Sequence, residues 1–96
     1  MVGDLQIDFA AHSVSVNGKA VHLTPTEFSL LRTLVRNRGR LMTHSALLRE
    51  VWGPVHEEDT PLLRAHVANL RRKIEPEPAN PRYVTTDPGI GYRFSG

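Results

Sequence analysis

The stretch from Thr60 to Phe94 constrains this chain more than any other part of it. Leu63, Val67, Leu70 and Ile74 recur at helical spacing and fall within a narrow arc at about 100° per residue. The opposite arc holds Pro61, Ala65, Ala68 and Arg72, flanked by Arg64 and Asn69. This pattern predicts a helix over 60–75 with one stripe docked on a core. Its small outward residues allow close approach to another surface. Pro76, Pro78 and Pro81 stop the helix. Tyr83 to Thr86 then reads as a strand, Tyr92 to Phe94 as its partner, and Asp87 to Gly91 as the turn between them. A basic helix followed directly by a hairpin is the layout of a winged helix.

The first 23 residues read as β structure. Leu5, Ile7 and Phe9 alternate, as do Val14 and Val16, then Val21 and Leu23. Asn17-Gly18 separates the second and third runs, and both residues tolerate the positive φ of a type I′ hairpin turn. The first helix has an explicit start, with Thr24 as cap, Pro25 in the first turn and Glu27 reaching back as a capping box. Phe28, Leu31, Leu34 and Val35 form its apolar stripe, and Gly39 marks its end. Thr43 caps a second helix carrying Leu47, Leu48, Val51 and Trp52, stopped by Gly53-Pro54. Residues 53–59 form a short acidic loop. Thr60-Pro61 repeats the Thr-Pro start for the third helix. The expected class is α+β: an N-terminal antiparallel sheet, three helices and a C-terminal wing hairpin.

Ninety-six residues, 40% apolar and 23% charged, fit one small folded domain over 1–96. No cysteine is present, so neither a disulfide nor a thiolate metal site is expected. No apolar run approaches the roughly 18 residues that span a bilayer, and residues 1–4 lack both a basic start and an apolar stretch. A cytoplasmic protein without membrane association is the expectation. His12, His22, His44, His56 and His66 lack metal-ligand spacing, so no metal is expected. Glu57, Glu58 and Asp59 are adjacent carboxylates with no base or nucleophile nearby, and read as a solvated loop rather than catalytic groups. Gly89-Ile90-Gly91 precedes a strand, not a helix, and is too short to cradle a phosphate. The chain is read as no enzyme, with no cofactor.

Charge distribution says more than the net +2. Residues 32–40 hold Arg32, Arg36, Arg38 and Arg40, and the third helix carries Arg64, Arg71, Arg72 and Lys73. Basic charge gathered on particular segments suits a polyanion. The alternative is a set of solvated helix faces. An α-helix fits the DNA major groove, where Arg pairs with guanine and Asn with adenine. The hairpin tips the reading of Arg64 and Asn69 toward DNA. The competing class is a winged-helix protein-interaction module without DNA affinity. Trp52 is expected to pack the end of the second helix or to reach a phosphate with its indole N–H. His66 is expected either to donate to a phosphate or to fill a packing boundary.

Four blocks carry a family resemblance: residues 23–31 around Thr24-Pro25-Thr26-Glu27, residues 47–53 ending Val51-Trp52-Gly53, residues 67–73 and residues 89–94. Together they resemble the effector domain of OmpR/PhoB-type response regulators over essentially the whole chain. Val51 to Pro54, Leu63-Arg64 and Pro78 to Arg82 look like the branch that regulates high-affinity potassium uptake. The resemblance implies a four-stranded N-terminal sheet ahead of the three helices and the wing. It also implies a receiver domain, not in this chain, that a sensor kinase phosphorylates and that then dimerises. Two effector domains would bind tandem half-sites on double-stranded DNA. Arg64, His66, Asn69, Arg71 and Arg72 fall on recognition-helix contact positions, and Trp52 and Thr86 on backbone-contact positions; Thr60 and Lys73 complete the expected DNA-binding set. Val55, His56, Glu57, Glu58 and Asp59 match the loop that contacts RNA polymerase. Two departures stand out. Asp87-Pro88 occupies a wing tip where some members carry arginine, and Ala68 a position that is basic in some relatives. Base contacts are therefore expected to rest mainly on Arg64, Asn69 and Arg72.

Overall fold

The computed structural model describes residues 4–95, so the reading of residues 1–3 as lacking a leader lies outside the described residues. Strands β1 (Leu5–Asp8), β2 (Ser13–Val16) and β3 (Lys19–Val21) form an antiparallel sheet in that order. Asn17 and Gly18 both have positive φ, 53° and 80°, and pair Val16 with Lys19 across the tight turn. The expected hairpin forms for the expected reason.

Helix α1 (Pro25–Arg36) begins with the full capping box. The Glu27 N–H donates to Thr24 Oγ1 at 3.2 Å, and the Thr24 N–H donates to Glu27 Oε1 at 2.9 Å. That second bond also corrects the expected extent of the first sheet. Among the described residues it has three strands, not four. β3 ends at Val21, and the Thr24 N–H is committed to the helix cap rather than to a ladder. α1 closes on Asn37, whose side chain donates to the Thr33 carbonyl at 2.9 Å. Gly39 lies beyond this cap instead of forming it, and its N–H donates to the Phe94 carbonyl at 2.9 Å.

A short strand follows that no local pattern announces, β4 (Leu41–Thr43). Thr43 ends it and caps α2 (His44–Trp52), accepting from the Ala46 N–H at 3.2 Å. A 3₁₀ turn (Pro54–His56) leads to α3 (Thr60–Ile74). Asp59, not Thr60, is the cap of α3: its Oδ1 accepts from the Leu62 N–H at 3.3 Å, and Thr60 is already helical. A carboxylate outcompetes a hydroxyl here because it also answers the positive end of the helix dipole. The wing strands β5 (Val84–Asp87) and β6 (Gly91–Phe94) join β4 in a second sheet, ordered β4-β6-β5.

Both sheets and all three helices share one core. Leu63, Val67, Leu70 and Ile74 on α3 are fully buried or nearly so, against Leu31 and Leu34 of α1 and Leu47 and Leu48 of α2. Each such side chain contributes about 1.5–3 kcal/mol of burial. α3 is thus held rigidly by one side, leaving the other to the surface. Gly91 is dictated by sheet packing. A Cβ there would lie 1.9 Å from the Met42 carbonyl oxygen, so β6 can cross β4 only with glycine at this position. Among the described residues no helix is long and apolar enough to cross a membrane.

Candidate nucleic-acid interface

The outward arc of α3 is as the helical spacing requires. Pro61, Arg64, Ala65 and Arg72 are exposed, with Ala68 and Asn69 half-buried beside them. Arg72 donates through Nη2 to the Asn69 side-chain oxygen, which ties two of the expected base-reading groups into one unit. Arg64 stands one turn before Ala68 on the same face. Arg64, Asn69 and Arg72 therefore form a continuous donor-rich surface on a helix anchored from behind.

The remaining expected contacts lie on the two flanks of that surface. On the wing side, Arg71 donates from Nε and Nη2 to the Val84 carbonyl at 3.0 and 2.8 Å, and from Nη2 to Thr86 Oγ1 at 2.6 Å. Its guanidinium carbon lies 5.5 Å from the centroid of the Tyr92 ring. Burial lowers the pKa of this guanidinium, opposed by Tyr92 and Glu75. Arg71 and Thr86 are thus brought together, but as each other's partners.

On the far flank, His66 Nδ1 lies 3.0 Å from the Leu62 carbonyl, and its ring packs edge-on to Trp52 with centroids 4.9 Å apart. A carbonyl only accepts, so Nδ1 carries the proton. Nε2 is then the ring nitrogen left for a further partner. Lys73 faces away from the outward arc, toward α1. Its Nζ is 2.6 Å from Oε1 of the buried Glu27. Burial pushes the Glu27 carboxyl pKa up, but the Lys73 and Thr24 hydrogen bonds and the Lys73 charge together hold it below the usual carboxylate range. Thr60 is half-buried in the first turn of α3.

The loop between α2 and α3 divides its acids among different tasks. Asp59 caps α3, and Glu57 pairs with Arg49 at 3.3 Å, both members exposed. Glu58 and His56 are exposed, and Val55 is 93% exposed, the most accessible large apolar side chain described. At the wing tip Asp87 of β5 pairs with Arg93 of β6 at 3.1 Å, which offsets the acid. Ile90 projects from the same turn, about half exposed at 51%.

Sequence reasoning missed Glu75. Read as the last residue of α3, it is instead the buried cap after Ile74. Its carboxylate accepts the backbone N–H groups of Arg82 at 2.7 Å, Tyr83 at 3.0 and 3.1 Å, and Val84 at 2.8 Å. A carboxylate closing an apolar helix, followed by a Pro-rich loop and a strand, was the available signal.

The family described as "Transcriptional regulatory protein, C terminal" matches residues 18–94. The chain is 48% identical over 88 residues to the transcriptional regulatory protein KdpE of Mycobacterium tuberculosis, covering 92% of this chain and 39% of that protein. It is 45% identical over 92 residues to the DNA-binding response regulator MtrA of Mycolicibacterium smegmatis, covering 96% of this chain and 40% of MtrA. The chain therefore spans about two fifths of the length of these curated relatives. Among solved structures, the OmpR/PhoB homologue DrrB of Thermotoga maritima superposes with TM-score 0.89 at 35% identity, over 100% of this chain and 43% of DrrB. The Klebsiella pneumoniae RstA DNA-binding domain, solved in complex with the RstA box, superposes with TM-score 0.87 at 27% identity, over 97% and 92% of the two chains. With the winged-helix architecture and these matches in agreement, the chain belongs to the C-terminal domain family of transcriptional regulatory proteins, of OmpR/PhoB type.

Proposed function

We propose that this chain binds double-stranded DNA sequence-specifically and regulates transcription as the effector domain of a two-component response regulator. The observation that carries the proposal is the Arg64–Asn69–Arg72 surface, two exposed arginines around a half-buried asparagine, on a helix whose opposite side is fully buried. A rigidly backed helix presents these donors to a major groove with little entropy left to lose. Phosphate contacts supply much of the affinity and make it salt-dependent. The RstA complex supports the same use of this fold.

Finer assignments follow from the same reading. KdpE as a relative supports a potassium-uptake operon as the target, although MtrA is nearly as similar. Residues 1–96 form one effector unit; the receiver domain, the sensor kinase, receiver-driven dimerisation on tandem half-sites and a cytoplasmic location come with the response-regulator assignment. The loop bearing Val55 and Glu58 is the surface for RNA polymerase, its exposed apolar tip being its strongest support. The domain does no chemistry of its own.

The test is a titration of the protein into a labelled duplex carrying a potassium-uptake promoter and into a scrambled duplex, at two salt concentrations. Tighter, salt-sensitive binding to the promoter is expected. Equal binding to both would remove the operator assignment. No binding even at low salt would replace DNA with a protein as the partner of this surface.

A further inference from the structure

Arg71 on α3 and Glu75, the residue that caps it one turn later, both reach the same strand of the wing. Glu75 collects the N–H groups at the entry to β5, while Arg71 supplies N–H groups to the Val84 carbonyl and the Thr86 hydroxyl. β5 is the edge strand of its sheet. Its open edge would otherwise present unpaired backbone groups. Here two side chains of the helix take the place of a neighbouring strand. The planar fork of arginine is what permits it: Nε and Nη2 converge on one carbonyl oxygen while Nη2 also spans to Thr86, and the Tyr92 ring of β6 packs against the same guanidinium. A lysine presents one point charge and cannot reproduce this set.

Resting on the DNA-binding reading, we infer that Arg71 is a positioning residue rather than a DNA contact: it locks the wing to the recognition helix and turns the Thr86 hydroxyl outward. Thr86 is exposed, and its oxygen already accepts from Arg71. Its single O–H is therefore kept for another acceptor, and on this face a phosphate oxygen is the acceptor that fits. The lock sets the spacing between the base-reading face of α3 and the wing before any duplex arrives, so neither element has to be ordered on binding.

The test compares Arg71→Lys, Arg71→Ala, Thr86→Val and Thr86→Ser with the wild type. Each is titrated into the preferred duplex over a range of salt, and amide exchange across residues 84–94 is followed without DNA. Arg71→Lys and Arg71→Ala are expected to lose affinity alike, by about tenfold, as loss of charge-assisted hydrogen bonds implies. Their salt slopes stay at the wild-type value and their wing amides exchange faster. Thr86→Val loses affinity and Thr86→Ser keeps it; being at an exposed site, both variants remain informative if those at Arg71 unfold. Retained affinity in Arg71→Lys, with a salt slope reduced by about one in Arg71→Ala, would make Arg71 a phosphate contact and overturn the inference. Wing exchange unchanged in Arg71→Ala would overturn the lock. A wild type that binds no duplex would overturn the DNA-binding reading, and with it the role in recognition, while the exchange data still decide the lock.

Discussion

Replacing Glu75 by alanine should be among the most costly single changes in this domain, although Glu75 belongs to no apolar stripe. Tyr83 and Val84 are buried, at 2% and 0% exposure, and both donate their N–H groups to this carboxylate. Truncation leaves two buried donors without an acceptor, each costing about 1–3 kcal/mol. The Arg82 N–H lies at an exposed residue, where water replaces the lost partner. Removing the carboxylate also removes its own desolvation cost, which offsets part of the loss. The net expectation is about 3 kcal/mol, a large share of the roughly 5–15 kcal/mol of a small domain. At roughly 4–8 °C per kcal/mol, the melting temperature falls by about 12–24 °C. Urea unfolding followed through Trp52 gives the free energy, and amide exchange at Tyr83 and Val84 locates it. Glu75→Gln keeps one acceptor oxygen but turns an NH₂ toward donors, and should fall between. A loss below about 0.5 kcal/mol in Glu75→Ala would refute the reasoning, because that is the scale of an ordinary surface substitution.

Other changes test other parts of the account. The Glu27 pKa is depressed in the fold, so its contribution is fully present above the unfolded carboxyl pKa and is lost as pH falls through the folded one. Lys73→Met should therefore cost about 1–2 kcal/mol at neutral pH and flatten the acid limb of stability below about pH 4.5, measured by urea melts across pH. Gly91→Ala forces a methyl into the Met42 carbonyl and should cost about 3 kcal/mol or more, with β4 amides losing protection first. Val55→Asp removes the exposed apolar tip of the loop; duplex affinity should be unchanged while transcription with purified RNA polymerase falls.

Local signals carried much of the fold. Thr24 with Glu27, Thr43 with Ala46, and Asn17-Gly18 each specify a conformation within four residues, and each appears where expected. The outward face of α3 was legible for the same reason, since helical periodicity alone separates Arg64 and Arg72 from Leu63 and Val67. What escaped depends on partners distant in the chain. β4 is three residues long and exists because β6 pairs Leu41 with Arg93. Lys73 looks like one more basic residue of α3 until Glu27, on α1, is placed against it. Arg71 and Arg72 are neighbours in sequence, yet one turns inward to the wing and the other outward, which charge counting cannot separate. Asp59 and Thr60 are both good caps, and a one-residue choice between them lies below what pattern resolves.

The central claim is that the outer face of α3 reads base edges, and Arg64 tests it most directly. The affinity of wild type and Arg64→Ala would be measured on the preferred duplex and on a panel carrying every single base substitution. Discrimination at one position should fall by about 1–3 kcal/mol in the variant while the other positions keep theirs. A profile unchanged at every position, with equal weakening on specific and random duplexes, would contradict the claim and leave Arg64 as a backbone contact.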